Sequence, residues 1–203
     1  NGVIGEEDTG GLELRFGNSE AMLEMICRIA RREGLGDVLA EGVARAARML
    51  GPEAERYARH VKSQEIPMHE PRGKRGLALA YSLSPTGADH VEAPHDPFLE
   101  ALGPEGKDLA PLGLIEPVDR MDLSYRKVRA YYVTQLLWGM YNVVGMCNFA
   151  ATPTGPLSLP KLVEYYSAVT GWETSLWEML RMAERASAMY RIFNAREGLT
   201  VKN

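Results

Sequence analysis

The 203-residue chain has only two cysteines, Cys27 and Cys147. They lie far apart and neither has a partner at metal-site spacing, which excludes a self-contained zinc or iron–sulfur site and a disulfide framework. Basic excess is also missing: 23 Lys and Arg stand against 27 Asp and Glu, for a net charge of −4. Phosphate binding along a nucleic acid needs a clustered basic face, so a dominant nucleic-acid role is excluded. From Ala130 to Pro160 there is no charge of either sign. Such a run invites a membrane-spanning reading. It carries Gln135, Asn142 and Asn148, however, with Pro153, Pro156 and Pro160, so too few uninterrupted apolar residues remain to cross a bilayer. The expectation is a buried helix running into a buried, irregular loop. The chain opens on Asn1 without a charged-then-apolar leader. A cytoplasmic piece of a longer protein is expected, not a secreted precursor.

What is present is ordinary. The chain is 45% apolar and 25% charged, as in a soluble globular protein of one large or two small domains. Hydrophobic periodicity predicts a mostly α-helical fold. Asn18 or Ser19 caps a first helix ending at Gly34, with an apolar stripe of Met22, Met25, Ile26 and Ile29. A second follows Gly36-Asp37 and stops at Gly51-Pro52. Residues 60–68 read as extended, and 76–83 as a short buried helix. Residues 84–118, dense in Pro and Gly, read as a long irregular connection, a length that in compact domains usually carries function. Asp122 or Ser124 starts a helix that reaches Trp138 or Tyr141. Ser158 caps another, with Pro160 in its first turn. Ser175 and Glu178 form a capping box for the last helix, 176 to about 196. Its two apolar stripes, Leu176-Leu180-Ala183-Tyr190 and Met179-Met182-Ala186-Met189-Phe193, predict deep burial.

Three segments are candidates for chemistry. His90, in Pro85-Thr86-Gly87-Ala88-Asp89-His90, is a histidine in a Gly/Pro-rich loop, where an imidazole titrating near neutrality suits general acid–base work. A hydrogen-bonded loop histidine is the competing reading, and His95 adds too few ligands for a metal. Cys147 ends the predicted buried helix after Gly145 and offers a thiolate ligand, against the commoner buried structural cysteine. Cys27 sits beside the first helix's stripe and reads as packing. Arg72, in Glu70-Pro71-Arg72-Gly73, could clamp an anion or be a solvated surface arginine.

Taken in order, several segments resemble the tungsten-containing aldehyde ferredoxin oxidoreductase family. They are Arg15-Phe16-Gly17-Asn18, Arg32 to Gly42, Val61-Lys62 to Glu65-Ile66-Pro67, Pro71-Arg72-Gly73, Gly87-Ala88-Asp89-His90, Gly145-Met146-Cys147, and Phe193-Asn194 with Arg196-Glu197-Gly198. The resemblance implies an all-α fold made of the family's C-terminal helical domains: 1–118 part of the middle one with His90, and 119–203 part of the last one with Cys147. It implies oxidation of aldehydes to carboxylic acids with ferredoxin as electron acceptor. The cofactors implied are a tungsten (or molybdenum) bis-pterin, the molybdopterin-type group, and a [4Fe–4S] cluster. The N-terminal pterin-binding domain and the cysteine trio that completes the cluster lie outside this sequence. The isolated chain is therefore expected to bind no cofactor and to be inactive, with homodimerisation an open expectation.

Residue by residue, the resemblance makes Cys147 the fourth cluster ligand, closing a D-x-x-G-L-C motif that here reads Asn142-Val143-Val144-Gly145-Met146-Cys147. Asn142, Gly145, Met146 and Arg72 are implied cofactor contacts. Asn142 replaces a pterin-bonding Asp. His90 matches the active-site histidine that assists proton transfer near tungsten. Glu92 replaces a Lys that contacts the pterin in some members, and Leu23 replaces a histidine that binds iron at a dimer interface, so no such iron is expected. Two alternatives stay open: a related tungstopterin enzyme reducing aromatic acyl thioesters, and a cofactor-free helical interaction module.

Overall fold

A computed structural model describes residues 1–102 and 109–199. The chain folds as two compact units, Asn1–Ile66 and Pro67–Asn203. The boundary suggested at 118/119 falls inside the second unit, and the assignment of the halves to the family's domains is an expectation apart from this division. The fold is all-α as expected, with one two-stranded ribbon among the described residues.

In the first unit, α1 (Ser19–Arg31) starts where the Asn18 side chain accepts from the Ala21 amide at 3.1 Å. It ends at Arg32, in the left-handed region at φ 57°. α2 (Leu35–Leu39) then folds back on it. Gly36 makes this approach possible. A Cβ there would overlap the Arg28 carbonyl and come within 2.7 Å of the Ile29 amide. Gly36→Ala therefore forces the two helices apart, a packing cost of about 1–3 kcal/mol, readable as a lower midpoint in thermal unfolding.

The predicted second helix is in fact two. α3 (Val43–Leu50) begins after Gly42, which stands at φ 81° and breaks the run. The Glu65 carboxylate caps α3 by accepting from the Val43 amide at 2.7 Å. That partner is remote in sequence, so local periodicity could not show the break. After α4 (Pro52–Glu55), the expected extended segment is a hairpin, β1 (His60–Val61) and β2 (Gln64–Glu65). Register pairs His60 with Glu65 and Val61 with Gln64, across a two-residue turn whose Lys62 and Ser63 both have positive φ.

The first helix's stripe is only partly core. Met25 is buried, whereas Met22, Ile26 and Cys27 are exposed, which corrects the packing role read for Cys27. Periodicity identifies an apolar face; whether a partner covers it is a separate matter.

The second unit holds α5 (Arg75–Leu83), α6 (Asp96–Glu100), α7 (Tyr125–Val144), α8 (Leu159–Thr170) and α9 (Leu176–Arg196), with 3₁₀ turns at Pro71–Gly73 and Ala110–Leu112. Ser124, Ser158 and Ser175 cap α7, α8 and α9, and Ser175 and Glu178 make the predicted reciprocal box. The predicted irregular connection contains α6; its stretch 103–108 lies outside the described residues. α7 and α9 pack together where Gly139 admits the Ala183 side chain. Leu137, Trp138, Met140, Tyr141, Leu159, Leu162 and Met179 fill the core around them.

Two expectations of burial fail here. On α9 only Met179 and Ala183 are buried, while Met189, Tyr190 and Phe193 lie open. The uncharged run begins buried in α7 but emerges: Asn142, Val143, Cys147 and Phe149 are exposed. No helix among the described residues is long and apolar enough to cross a membrane.

Candidate functional site

The His90 loop leaves α5 at Ser84, which is buried. Its hydroxyl accepts from the Thr86 amide at 3.1 Å and the Gly87 amide at 3.2 Å, turning the chain tightly. Gly87 follows at φ 115°. Asp89 accepts from the Val91 amide at 2.8 Å, so His90 sits inside a second closed turn. From the other end of the chain, the Asn194 side chain of α9 donates to the Pro85 carbonyl at 2.7 Å and ties the loop down.

His90 is not alone. The His69 ring stacks on it, centroids 4.6 Å apart with planes 26° apart, and the His95 ring stands edge-on to His69 at 4.5 Å. His95 Nε2 lies 3.1 Å from the His90 carbonyl, and its Nδ1 lies 3.1 Å from Lys74 Nζ. Burial, then the Lys74 charge, lowers the His95 pKa; burial, His90 and Lys74 lower that of His69. Neutral imidazoles are thus favoured in the fold. A base whose folded pKa is depressed gives its full stabilisation above the unfolded value, about 6.5, and loses it as pH falls through the folded one. Urea midpoints of the second unit should hold constant above neutrality and decline on acidification below about pH 6.5.

A pocket of about 160 Å³ opens between the His90 loop, α7 and α9. Glu92, Gln135, Asn142, Ser187 and Arg191 line it. Burial, then Asp89, raises the Glu92 pKa. The buried Tyr131 hydroxyl has no hydrogen-bond partner among the described residues. Burial pushes its pKa upward as well, with the Glu92 charge adding to the shift.

α7 ends in a left-handed turn. Gly145, at φ 70°, lets its own amide reach the Asn142 carbonyl and the Met146 amide reach the Tyr141 carbonyl. Met146 packs partly against the core. Cys147 comes next, exposed and unpaired. The loop behind it is braced: the Tyr141 hydroxyl donates to the Thr152 carbonyl at 2.6 Å, and Thr154 donates to the Asn148 carbonyl.

The sequence-derived residues therefore fall into four places. Asn142 and Glu92 share the pocket; Gly145, Met146 and Cys147 form the exposed turn at the end of α7; His90 lies in the loop two residues before Glu92. Arg72 stands apart. Its guanidinium is taken by Glu70, with Nε and Nη2 bonds of 2.9 and 2.8 Å, and this pairing holds the Glu70 carboxyl down to about 2. Sequence reasoning missed His69 as the ring stacked on His90, Lys74 as the partner of His95, and Asn194 as the brace. The imidazole of His69 was the one visible signal.

Among the described residues no group of three or more His, Cys, Asp or Glu side chains is arranged to hold a metal ion. A metal bound here needs ligands from elsewhere. The residues present do suit a polar cofactor edge and one sulfur ligand: the Asn142 amide lines the pocket, Cys147 is an exposed free thiol, and the buried Tyr131 hydroxyl has no partner among the described residues.

The family model for aldehyde ferredoxin oxidoreductase, domains 2 and 3, matches residues 1–203. The chain belongs to the aldehyde ferredoxin oxidoreductase family. It is similar to the tungsten-containing aldehyde ferredoxin oxidoreductase of Pyrococcus abyssi, with 35% identity over 98% of this chain and 30% of that protein. The enzyme of the same name from Pyrococcus horikoshii is 33% identical over the same shares. The WOR-like subunit of the aliphatic sulfonate oxidoreductase from Pyrococcus furiosus is 26% identical over 84% of this chain and 23% of that protein. This family member thus spans about 30% of the length of the tungsten-containing relatives.

Proposed function

We propose that this chain is the helical cofactor wall of a tungstopterin and iron–sulfur enzyme that oxidises aldehydes to carboxylic acids and passes electrons to ferredoxin. The end of α7 carries the reading. Asn142 lines a pocket and Cys147 is an exposed thiol just beyond it, on a stretch without a charged side chain. Exposed apolar side chains on α1 and α9 (Met22, Ile26, Met189, Phe193) are the surface a piece of a larger protein presents to its remainder.

Bound at this wall, the tungstopterin would supply the two-electron redox chemistry and the cluster the path outward. The chain's own residues would do the rest. The Asn142 amide would both donate to and accept from a pterin edge. Cys147 would contribute one thiolate to a cluster whose other ligands lie upstream. Converting an aldehyde and water to an acid releases two protons with two electrons; the His90 imidazole would accept one of those protons.

The test is metal analysis of the full-length protein with an aldehyde-dependent assay of ferredoxin reduction. Tungsten or molybdenum with about four irons per chain is expected. His90→Ala should lower kcat by about 10²-fold or more with metal content unchanged. A metal-free, folded full-length protein would overturn the reading in favour of a helical interaction module.

Glu92 favours a second reading. A half-buried carboxyl in the pocket alters the contacts available to substrate or cofactor, and a substrate screen that includes aromatic acyl thioesters distinguishes the two reactions.

A further inference from the structure

The two bonds on His95 assign its protonation. An ammonium can only donate, so Lys74 Nζ donates to His95 Nδ1, which must be the unprotonated nitrogen. A carbonyl can only accept, so His95 Nε2 carries the hydrogen and donates it to the His90 carbonyl. Each contact demands the same tautomer, Nε2–H, and the two together leave no freedom in the ring.

We propose that Lys74 and His95 form a positioning relay for His90, in which the ammonium sets the His95 tautomer and His95 in turn anchors the His90 backbone, with His69 stacked on the His90 ring. The backbone of His90 is held by one member of the cluster and its ring by another. His69 and Lys74 flank the Pro71–Gly73 turn while His90 and His95 come from the later loop, and Lys74, His95 and His69 are each half-buried, so the arrangement joins two stretches of the fold.

The charged and titratable groups around His95 are few. Lys74 faces Nδ1, and His69 and His90 lie against the ring. The neighbouring Asp96 is turned inward to Lys127 and to the Gly76 and Leu77 amides. Asp89 accepts from the Val91 amide, and Glu92 lines the pocket. A second proton on His95 would put an N–H opposite the Lys74 ammonium and break the relay at its first link. This agrees with the lowered pKa of His95.

The catalytic consequence rests on the role proposed above for His90; the relay itself does not. Two measurements on the full-length protein separate them. The first follows the rate at which diethyl pyrocarbonate modifies His95 against pH, mapped by peptide mass spectrometry, a readout that needs no cofactor. Lys74→Met should raise the midpoint by about half a unit to one unit by removing a like charge, and Lys74→Arg should leave it near the wild-type value. The second compares His95→Leu with His95→Gln, whose amide can accept from Lys74 and donate to the His90 carbonyl. The leucine variant should lose about tenfold in kcat with KM within twofold, and glutamine should recover most of that loss. A midpoint that Lys74→Met does not move overturns the relay. So does wild-type kcat in His95→Leu, or an equal loss in both His95 variants. If His90→Ala keeps full activity, the role of His90 fails, while the midpoint shift still decides the relay.

Discussion

Replacing Asp96 by alanine is expected to cost the second unit about 3–5 kcal/mol, a large share of the stability of an ordinary domain. Asp96 is fully buried, and three donors converge on it. The Gly76 amide reaches Oδ1 at 3.0 Å, the Leu77 amide reaches Oδ2 at 3.1 Å, and Lys127, itself 1% exposed, pairs with Oδ1. The carboxylate thus satisfies two amides in the first turn of α5 and neutralises a buried ammonium on α7 in one place. Alanine would orphan all three. Lys127→Met leaves a carboxylate that still accepts two amides, so its cost should be smaller. The double variant Asp96→Ala/Lys127→Met should cost less than the sum of the single changes, because no uncompensated charge remains. Urea unfolding of the three variants measures the coupling. Additive costs would show that the pair is not the joint between these helices.

The second large effect concerns the thiol at the end of α7. On the function proposed above, Cys147→Ser in the full-length protein is expected to abolish ferredoxin-linked activity and to reduce the iron content below about four per chain, since a [4Fe–4S] cluster takes four thiolates. Cys27→Ser should change neither. Both thiols are exposed, so exposure does not separate them. Their surroundings do. Cys27 lies on α1, next to Arg28 and one turn after Glu24, which pair with each other. Cys147 follows a backbone-defined turn, and Tyr141 and Thr154 brace the loop after it, in a stretch without charge. Iron analysis and the low-temperature EPR signal of the reduced protein check this. Unchanged iron in Cys147→Ser would remove the thiol from the cluster.

Much of the helical framework was legible because its signals are local. Ser124, Ser158 and the Ser175–Glu178 box sit within a turn of the amides they satisfy, so a one-dimensional pattern contains the whole interaction. The break between α2 and α3 was not legible, because the side chain that caps α3 comes from Glu65 across the hairpin. Burial was misread for a different reason. The stripes on α1 and α9 are real, but periodicity says which face is apolar and not whether this stretch of chain contains its cover. The candidate residues were read singly and not as a group. His90, Asn142 and Cys147 each stood out through the family resemblance, while Lys74, His69 and Asn194 joined His90 only when separate segments met in space.

The Asn194–Pro85 bond joins parts of the chain more than a hundred residues apart, and the pocket beside it takes residues from the same two regions. The imidazole cluster, by contrast, closes within the short span from His69 to His95. Closing a long span costs more chain entropy than closing a short one, and contacts of high sequence separation come late in folding. The two halves of the site thus differ in when they can exist. The histidines can gather while the C-terminal helix is still unformed, and the pocket cannot. Pulsed hydrogen exchange during refolding should protect the amides of Gly76 and Leu77 before those in the middle of α9, and simultaneous protection would show that the site forms in one step.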